Sequence, residues 1–232
     1  MSTLTNDRLP IKTRPLRSPG DSLRERIDAI LEDRVLLWVM FPVTGALFTL
    51  SEWVHYVFRA PPRPWTATIC TLIALLACVY RLRRIRAEVR QLRLGLLGEK
   101  SVGQALEALR DRGYRVIHDI PGDGYNIDHV LIGPTGVYAI ETKTRMKPTS
   151  GAGEVIYDGE RVMVNGLAPD RDPLVQARAA ARDVKRLILE STGRSIDVRP
   201  VVIFPGWYIR RTCRRPEVWV VNEKYLEAWL ER

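Results

Sequence analysis

The chain has 232 residues, 46% hydrophobic and 8% aromatic, with 36 Lys+Arg against 27 Asp+Glu and a net charge of +9. The charge is uneven: residues 1–94 carry 15 basic and 8 acidic side chains, residues 95–232 carry 21 and 19. The basic excess therefore does not mark the C-terminal half as a nucleic-acid footprint, and three scattered cysteines with three scattered histidines offer neither a disulfide framework nor a zinc spacing. The first twenty residues, rich in Pro, Arg and Ser, read as disordered. Asp21 or Ser22 is placed to cap a helix over about 23–33. Residues 35–50 (VLLWVMFPVTGALFTL) form an apolar run, interrupted by Pro42, that continues toward Phe58. Residues 65–80 (WTATICTLIALLACVY) form a second, with no charge at all.

Each run is near the short end of the roughly 17–25 residues that span a bilayer. Trp38, Trp53, Tyr56, Trp65 and Tyr80 lie near the run ends, where an aromatic belt would place them. The linker FRAPPRP is short enough to force a helical hairpin. The alternative is a pair of buried core helices. A cleaved signal peptide fits poorly, because more than thirty residues precede the first run and no small-x-small site follows it. Arginines crowd both outer flanks, including Arg24, Arg26 and Arg34 before the first run and Arg81, Arg83, Arg84, Arg86, Arg90 and Arg93 after the second. The positive-inside rule then sets both termini in the cytoplasm, with two spans in the cytoplasmic membrane and the lipid bilayer as partner. The expected organisation is a cytoplasmic, partly disordered segment (1–34), a transmembrane helical hairpin (35–80), a helical linker (81–96) and a soluble domain (97–232).

In the soluble part a helix is expected over about 99–112, ended by Gly113. Strands follow near 115–120, 127–133 and 137–142, then a hairpin of 154–157 and 161–164 around Asp158-Gly159-Glu160. Asp172-Pro173 opens a helix to about Glu190; strands at 198–204 and 218–221 and a helix at 223–230 complete the chain. The order is mixed α/β: a central β-sheet flanked by helices, preceded by two transmembrane helices. Arg210-Arg211-Thr212-Cys213-Arg214-Arg215, beside Trp207 and Tyr208, reads either as a phosphate-contacting patch with stacking aromatics or as a solvated loop.

The segment NIDHVLIGPTGVYAIETK (126–143) carries the chemistry. If its Gly-Pro-Thr-Gly turn centres between Pro134 and Thr135, Asp128 falls directly opposite Glu141. Glu141 and Lys143, two apart, project from one face. Opposed carboxylates destabilise a hairpin unless a cation lies between them. Oxygen ligands of this kind, completed by water and phosphate, suit Mg²⁺. The bland alternative is a pair of solvated charges at strand ends. It is weakened by the apolar neighbours Ile127, Val130, Leu131, Ile132, Val137 and Ile140, among which unpaired charge is costly. His129 points away from Asp128 on a strand and reads as structural.

These residues resemble the nuclease-related (NERD) domain, a branch of the PD-(D/E)XK or restriction-endonuclease-like superfamily. The matching features are LLGEKSVGQALEAL with Gly98 and Glu99, VIHDI, NIDHVLIG, GVYAIETK, DPLVQA with Pro173 and Gln176, and PVVIF. Ile127-Asp128 stands where the superfamily name has Pro-Asp. The resemblance implies a restriction-endonuclease-like sheet and a nuclease acting on DNA, less readily RNA. It also implies metal coordination (Mg²⁺ or Mn²⁺) by Asp128 and Glu141, and a water-orienting or deprotonating role for Lys143. Glu99 would be an accessory acid and Gln176 an assisting residue from a later helix. Many enzymes of the superfamily are dimers, so a homodimer is consistent with it. For Glu99 the residues alone also allow a helix N-terminal charge, favoured by the macrodipole, and for Gln176 an exposed helix position. The competing functions are a non-catalytic nucleic-acid or protein-binding module that keeps the fold, and a membrane scaffold built on the helical hairpin.

Overall fold

The computed structural model describes residues 17–58, 64–122, 124–147 and 153–231. The expectation of disorder in the first twenty residues therefore lies outside the described residues for 1–16, as does most of the interhelical linker. Two compact units result: Ser22–Leu97, and Gly98–Arg232 together with the described end of Met1–Asp21.

Among its described residues the first unit is helical up to the turn at Phe58 and again from Pro64. Helix α1 (Asp21–Ala29) passes through a π-helical turn (Ile30–Val35) into α2 (Leu36–Val57), and α3 starts at Pro64. Pro42 does not break α2, although its ring removes one backbone donor from the helix. The two apolar stretches are long enough to cross a membrane, with mean hydropathy of 1.6 and 1.7 over windows that are 0% and 11% buried. That exposure does not fit a pair of helices buried in the core of this chain. Phe48, Leu50, Leu72 and Ile73 stand bare, which is stable in hydrocarbon and costly in water. Between the helices the contact is small and polar. Thr71 Oγ1 donates to the Gly45 carbonyl at 2.9 Å and lies 2.7 Å from Thr49 Oγ1. Glycine favours this close approach, since a Cβ on Gly45 would meet Thr71 Oγ1 at a tight 3.1 Å. Trp53 packs edge-on to Trp65 at one end (6.2 Å between centroids), and Arg81 lies over Trp38 at the other (5.0 Å).

The expected break in α3 before Glu99 is absent. The helix runs unbroken from Pro64 to Glu107, then tightens into a 3₁₀ turn (Ala108–Arg112) that Gly113 ends at φ 84°. Gly98 does not start a helix. It is glycine because a Cβ there would collide with the Thr144 side chain.

The second unit is mixed α/β. Strands β1 (Arg115–Pro121), β2 (Asn126–Gly133), β3 (Gly136–Thr142), β6 (Val198–Ile203) and β8 (Trp219–Val221) form a sheet in the order β1-β2-β3-β6-β8. The first two pairings are antiparallel and the last two parallel. The parallel connection from β3 to β6 contains α4 (Pro173–Thr192), whose N-cap Asp172 accepts from Leu174 N at 2.8 Å. On one face Val102 and Leu106 of α3 meet Leu131, Ile140, Val201 and Leu226, the last from the closing helix α5 (Leu226–Leu230). On the other, Ala180, Ala181 and Val184 of α4 meet Ile127, Val130, Val137 and Ala139. The alanines let α4 lie close to the sheet.

One part of the sheet pattern differs from expectation. Residues Tyr208–Arg211 form a strand, β7, not a loop. It pairs parallel with β4 (Glu154–Tyr157), which also pairs with β5 (Val162–Val164), making a separate three-stranded sheet over Trp207, Phe204 and Leu174. Of the patch's arginines, Arg210 pairs with Glu154 at 2.9 Å and Arg211 stacks on Trp229 at 4.4 Å, so both are largely engaged within the fold.

The Gly45–Thr71 notch should govern the helical hairpin. Gly45→Leu is expected to cost about 1–2 kcal/mol by overpacking, and Thr71→Val less than about 1 kcal/mol. Thermal unfolding of the full chain in detergent, followed by helical circular dichroism, would read both.

Candidate metal centre

The β2–β3 ladder has the expected register. Its pairs run from Gly133↔Gly136 across the Pro134-Thr135 turn to His129↔Ile140. One step further brings Asp128 beside Glu141. There the backbone ladder gives way to a side chain, because Asp128 Oδ2 accepts the amide of Thr142 at 2.7 Å. Asp128 thus replaces a strand partner through one carboxylate oxygen. Glu141 is 6% exposed and accepts from Lys143 Nζ at 2.6 Å. Lys143 is itself fixed, its amide donating to the Ile203 carbonyl at 2.8 Å.

Burial and two neighbouring carboxylates, Glu141 and Glu99, push the Asp128 carboxyl well above the usual range; the Thr142 amide and Lys143 oppose that only in part. Glu99 reaches the same cluster from deep inside α3, so the helix N-terminal reading of its charge falls away. Its carboxyl is raised to about 7, first by burial, then by Asp119 and Glu141. Asp128, Glu99 and Glu141 therefore feel one another, Asp119 adds to the effect on Glu99, and Lys143 is the cation that lowers both raised groups.

Asp119 was not among the expected site residues. It lies on β1 between His118 and Ile120, whose partners are His129 and Ile127, so its place in the register faces Asp128. It is 2% exposed, takes a left-handed φ of 50°, and is held by Arg17 Nε at 2.9 Å and Asn126 Nδ2 at 3.0 Å. Non-glycine residues seldom take this backbone conformation, and aspartate tolerates it better than most. The available signal was an acid inside the otherwise apolar strand VIHDI.

The structure does not join Gln176 to the other four by a hydrogen bond among the described residues. It stands in the first turn of α4, and its Oε1 is buried without a partner, as is Thr142 Oγ1. An exposed helix position does not describe it. His129 is fully buried, with Nδ1 2.9 Å from His118 Nδ1, and burial lowers it to about 3, so it is neutral and structural.

Among the described residues no three His, Cys, Asp or Glu side chains are arranged as a ready cage for a metal ion. What the described residues offer instead is two opposed carboxylates, oxygen donors of the kind that suit a hard divalent cation. A cleft of about 290 Å³ adjoins, lined by Lys143, Arg145, Arg171 and Pro173. Arg145 is only loosely paired there, 3.5 Å from the exposed Asp170.

With this geometry in view, the comparison with known families is direct: the nuclease-related domain (NERD) family matches residues 94–205. This segment is a NERD domain. It contains β1, β2, β3, α4 and β6, and all five residues expected at the site. An uncharacterised protein of Bacillus anthracis is 41% identical over 54 residues, covering 21% of this chain and 26% of that protein. The chain thus spans about a quarter of that relative's length. No solved structure matches.

Glu99 gives a pH test. A carboxyl raised in the folded state favours folding below its unfolded value of 4.5 and loses that contribution as pH rises through about 7. In EDTA, Glu99→Gln should leave stability near pH 4 unchanged and raise it at pH 8, by on the order of 2 kcal/mol. Denaturant melts at the two pH values decide it; equal effects at both would show that the charge is not confined.

Proposed function

We propose that the chain is a membrane-anchored, divalent-metal-dependent nuclease that hydrolyses phosphodiester bonds of DNA on the cytoplasmic face. The observation that carries this reading is Lys143 Nζ held 2.6 Å from Glu141 beside the raised carboxyl of Asp128. Anchoring rests on the two exposed apolar helices, and orientation on the arginines that flank them.

Asp128 and Glu141 would hold Mg²⁺ or Mn²⁺, which when bound supplies Lewis acidity at a phosphoryl oxygen and a more acidic water. Lys143 brings positive charge to the scissile phosphate, where negative charge grows in the transition state. Tethering to Glu141 fixes the ammonium in position before substrate arrives. Glu99, at about 7, can accept or return a proton near neutral pH. Arg145 and Arg171 line the adjoining cleft and would steady the flanking phosphates of the strand. Gln176 offers an unfilled carbonyl oxygen that a water or a nucleotide donor could use.

The near neutrality of residues 95–232 favours one other reading, a binding module without turnover. The test uses the full chain in detergent with plasmid and single-stranded DNA, in Mg²⁺, Mn²⁺ or EDTA. Cutting should require metal and fall by at least about a hundredfold in Asp128→Asn and in Lys143→Ala, as for loss of an electrostatic catalytic group. DNA shifted on a gel in EDTA, but left intact by folded protein in either metal, would favour the binding module.

A further inference from the structure

The helical unit contains a groove that the nuclease chemistry does not use. It lies beside α3 just past the second apolar run, has a volume of about 570 Å³, and is walled by Val35, Val39, Ile85, Arg86, Arg90 and Arg93. That volume is in the range of small-ligand sites, about 300–1,000 Å³. Its lining is graded. Val39 belongs to the apolar run of α2, whereas Arg86, Arg90 and Arg93 recur at spacings of four and three along one side of α3. Positions so spaced are surface neighbours, and like charges on them repel. Nearby, Arg34 and Glu88 satisfy each other at 3.2 Å. Among the described residues, by contrast, no ion pair engages Arg86, Arg90 or Arg93. The opposite wall includes the π-helical turn Ile30–Val35, a wide, uncommon turn often found where a helix meets a ligand.

We infer that this groove binds one anionic phospholipid of the cytoplasmic leaflet. Its phosphate lies on Arg86, Arg90 and Arg93, and the root of an acyl chain lies against Val35, Val39 and Ile85. Guanidinium groups pair with phosphate oxygens in bidentate fashion and carry little hydration to lose. A soluble phosphate would use the arginines but leave the apolar half of the groove empty. A lipid fills both halves, and the apolar half is continuous with the run that spans the membrane. The inference rests on the membrane reading above but not on nuclease activity.

The test takes the full chain through phosphatidylcholine vesicles with and without phosphatidylglycerol. Flotation reads insertion, and native mass spectrometry after mild detergent extraction reads retained lipid. The wild type should float with both vesicle types and retain one phosphatidylglycerol that millimolar glycerol 3-phosphate does not displace. The triple variant Arg86→Gln, Arg90→Gln, Arg93→Gln should float equally and lose retention by about tenfold or more. Val39→Trp, which fills the apolar half without changing charge, should lose it too. A charge-matched control, Arg24→Gln, Arg26→Gln, Arg83→Gln, should retain lipid as the wild type does. Loss in that control equal to the loss in the groove variant would reduce the effect to bulk charge and overturn the site. Full retention by the groove variants, or displacement by glycerol 3-phosphate, would overturn it as well. Failure of the wild type to float would instead remove the membrane reading, and the lipid site with it.

Discussion

Two carboxylates facing each other across an antiparallel ladder repel, and in this domain burial and that repulsion hold the Asp128 carboxyl well above its usual range. Asp128 cannot swing away because the Thr142 amide holds it, and Glu141 cannot because Lys143 does. Glu141 lies on β3, the middle strand of five, bonded to β2, which carries Asp128, on one side and to β6 on the other. Glu99 and Asp119 then add charge to an already crowded point. A fold selected for stability alone would not gather four acids around one lysine, since burying charge without compensation is costly. Under the proposed reading a cation would offset the repulsion of the carboxylates, and a phosphate would meet Lys143.

The supporting residues are small where backbone must come close. Gly98 lets α3 lie against Thr144, one residue past Lys143, so the glutamate that follows it reaches the cluster. The alanines of α4 bring that helix down on the opposite face. Neither contributes a functional group, yet each fixes where a functional group ends up. The pairing of Gly98 with Glu99 is thus one of approach followed by chemistry.

Much of this was legible in the sequence because the signals were local. The Gly-Pro-Thr-Gly turn determines the hairpin register, and the register determines that Asp128 meets Glu141. Capping by Asp172 and termination by Gly113 followed from side-chain chemistry at single positions. The misses were of another kind. Strand β7 carries YIRR, with no apolar alternation, and is a strand only because β4 offers it a backbone edge. Helix α3 continues through Gly98 because packing outweighs the about 1 kcal/mol that a helical glycine costs. Asp119 escaped notice because its importance comes from a register neighbour on another strand and from a left-handed backbone angle. Each depends on a partner distant in sequence, which period and composition do not reveal.

The central position of β3 also determines traffic. A strand bonded along both edges does not open separately from the sheet, and the helices α3 and α4 cover its faces. Among the described residues, the end of the strand leads into the irregular stretch from Lys143 to Lys147 and the cleft it borders. Among the described residues Lys143 stands between the carboxylates and that cleft, so under the proposed reading the lysine that steadies the reaction would also meet what passes through it.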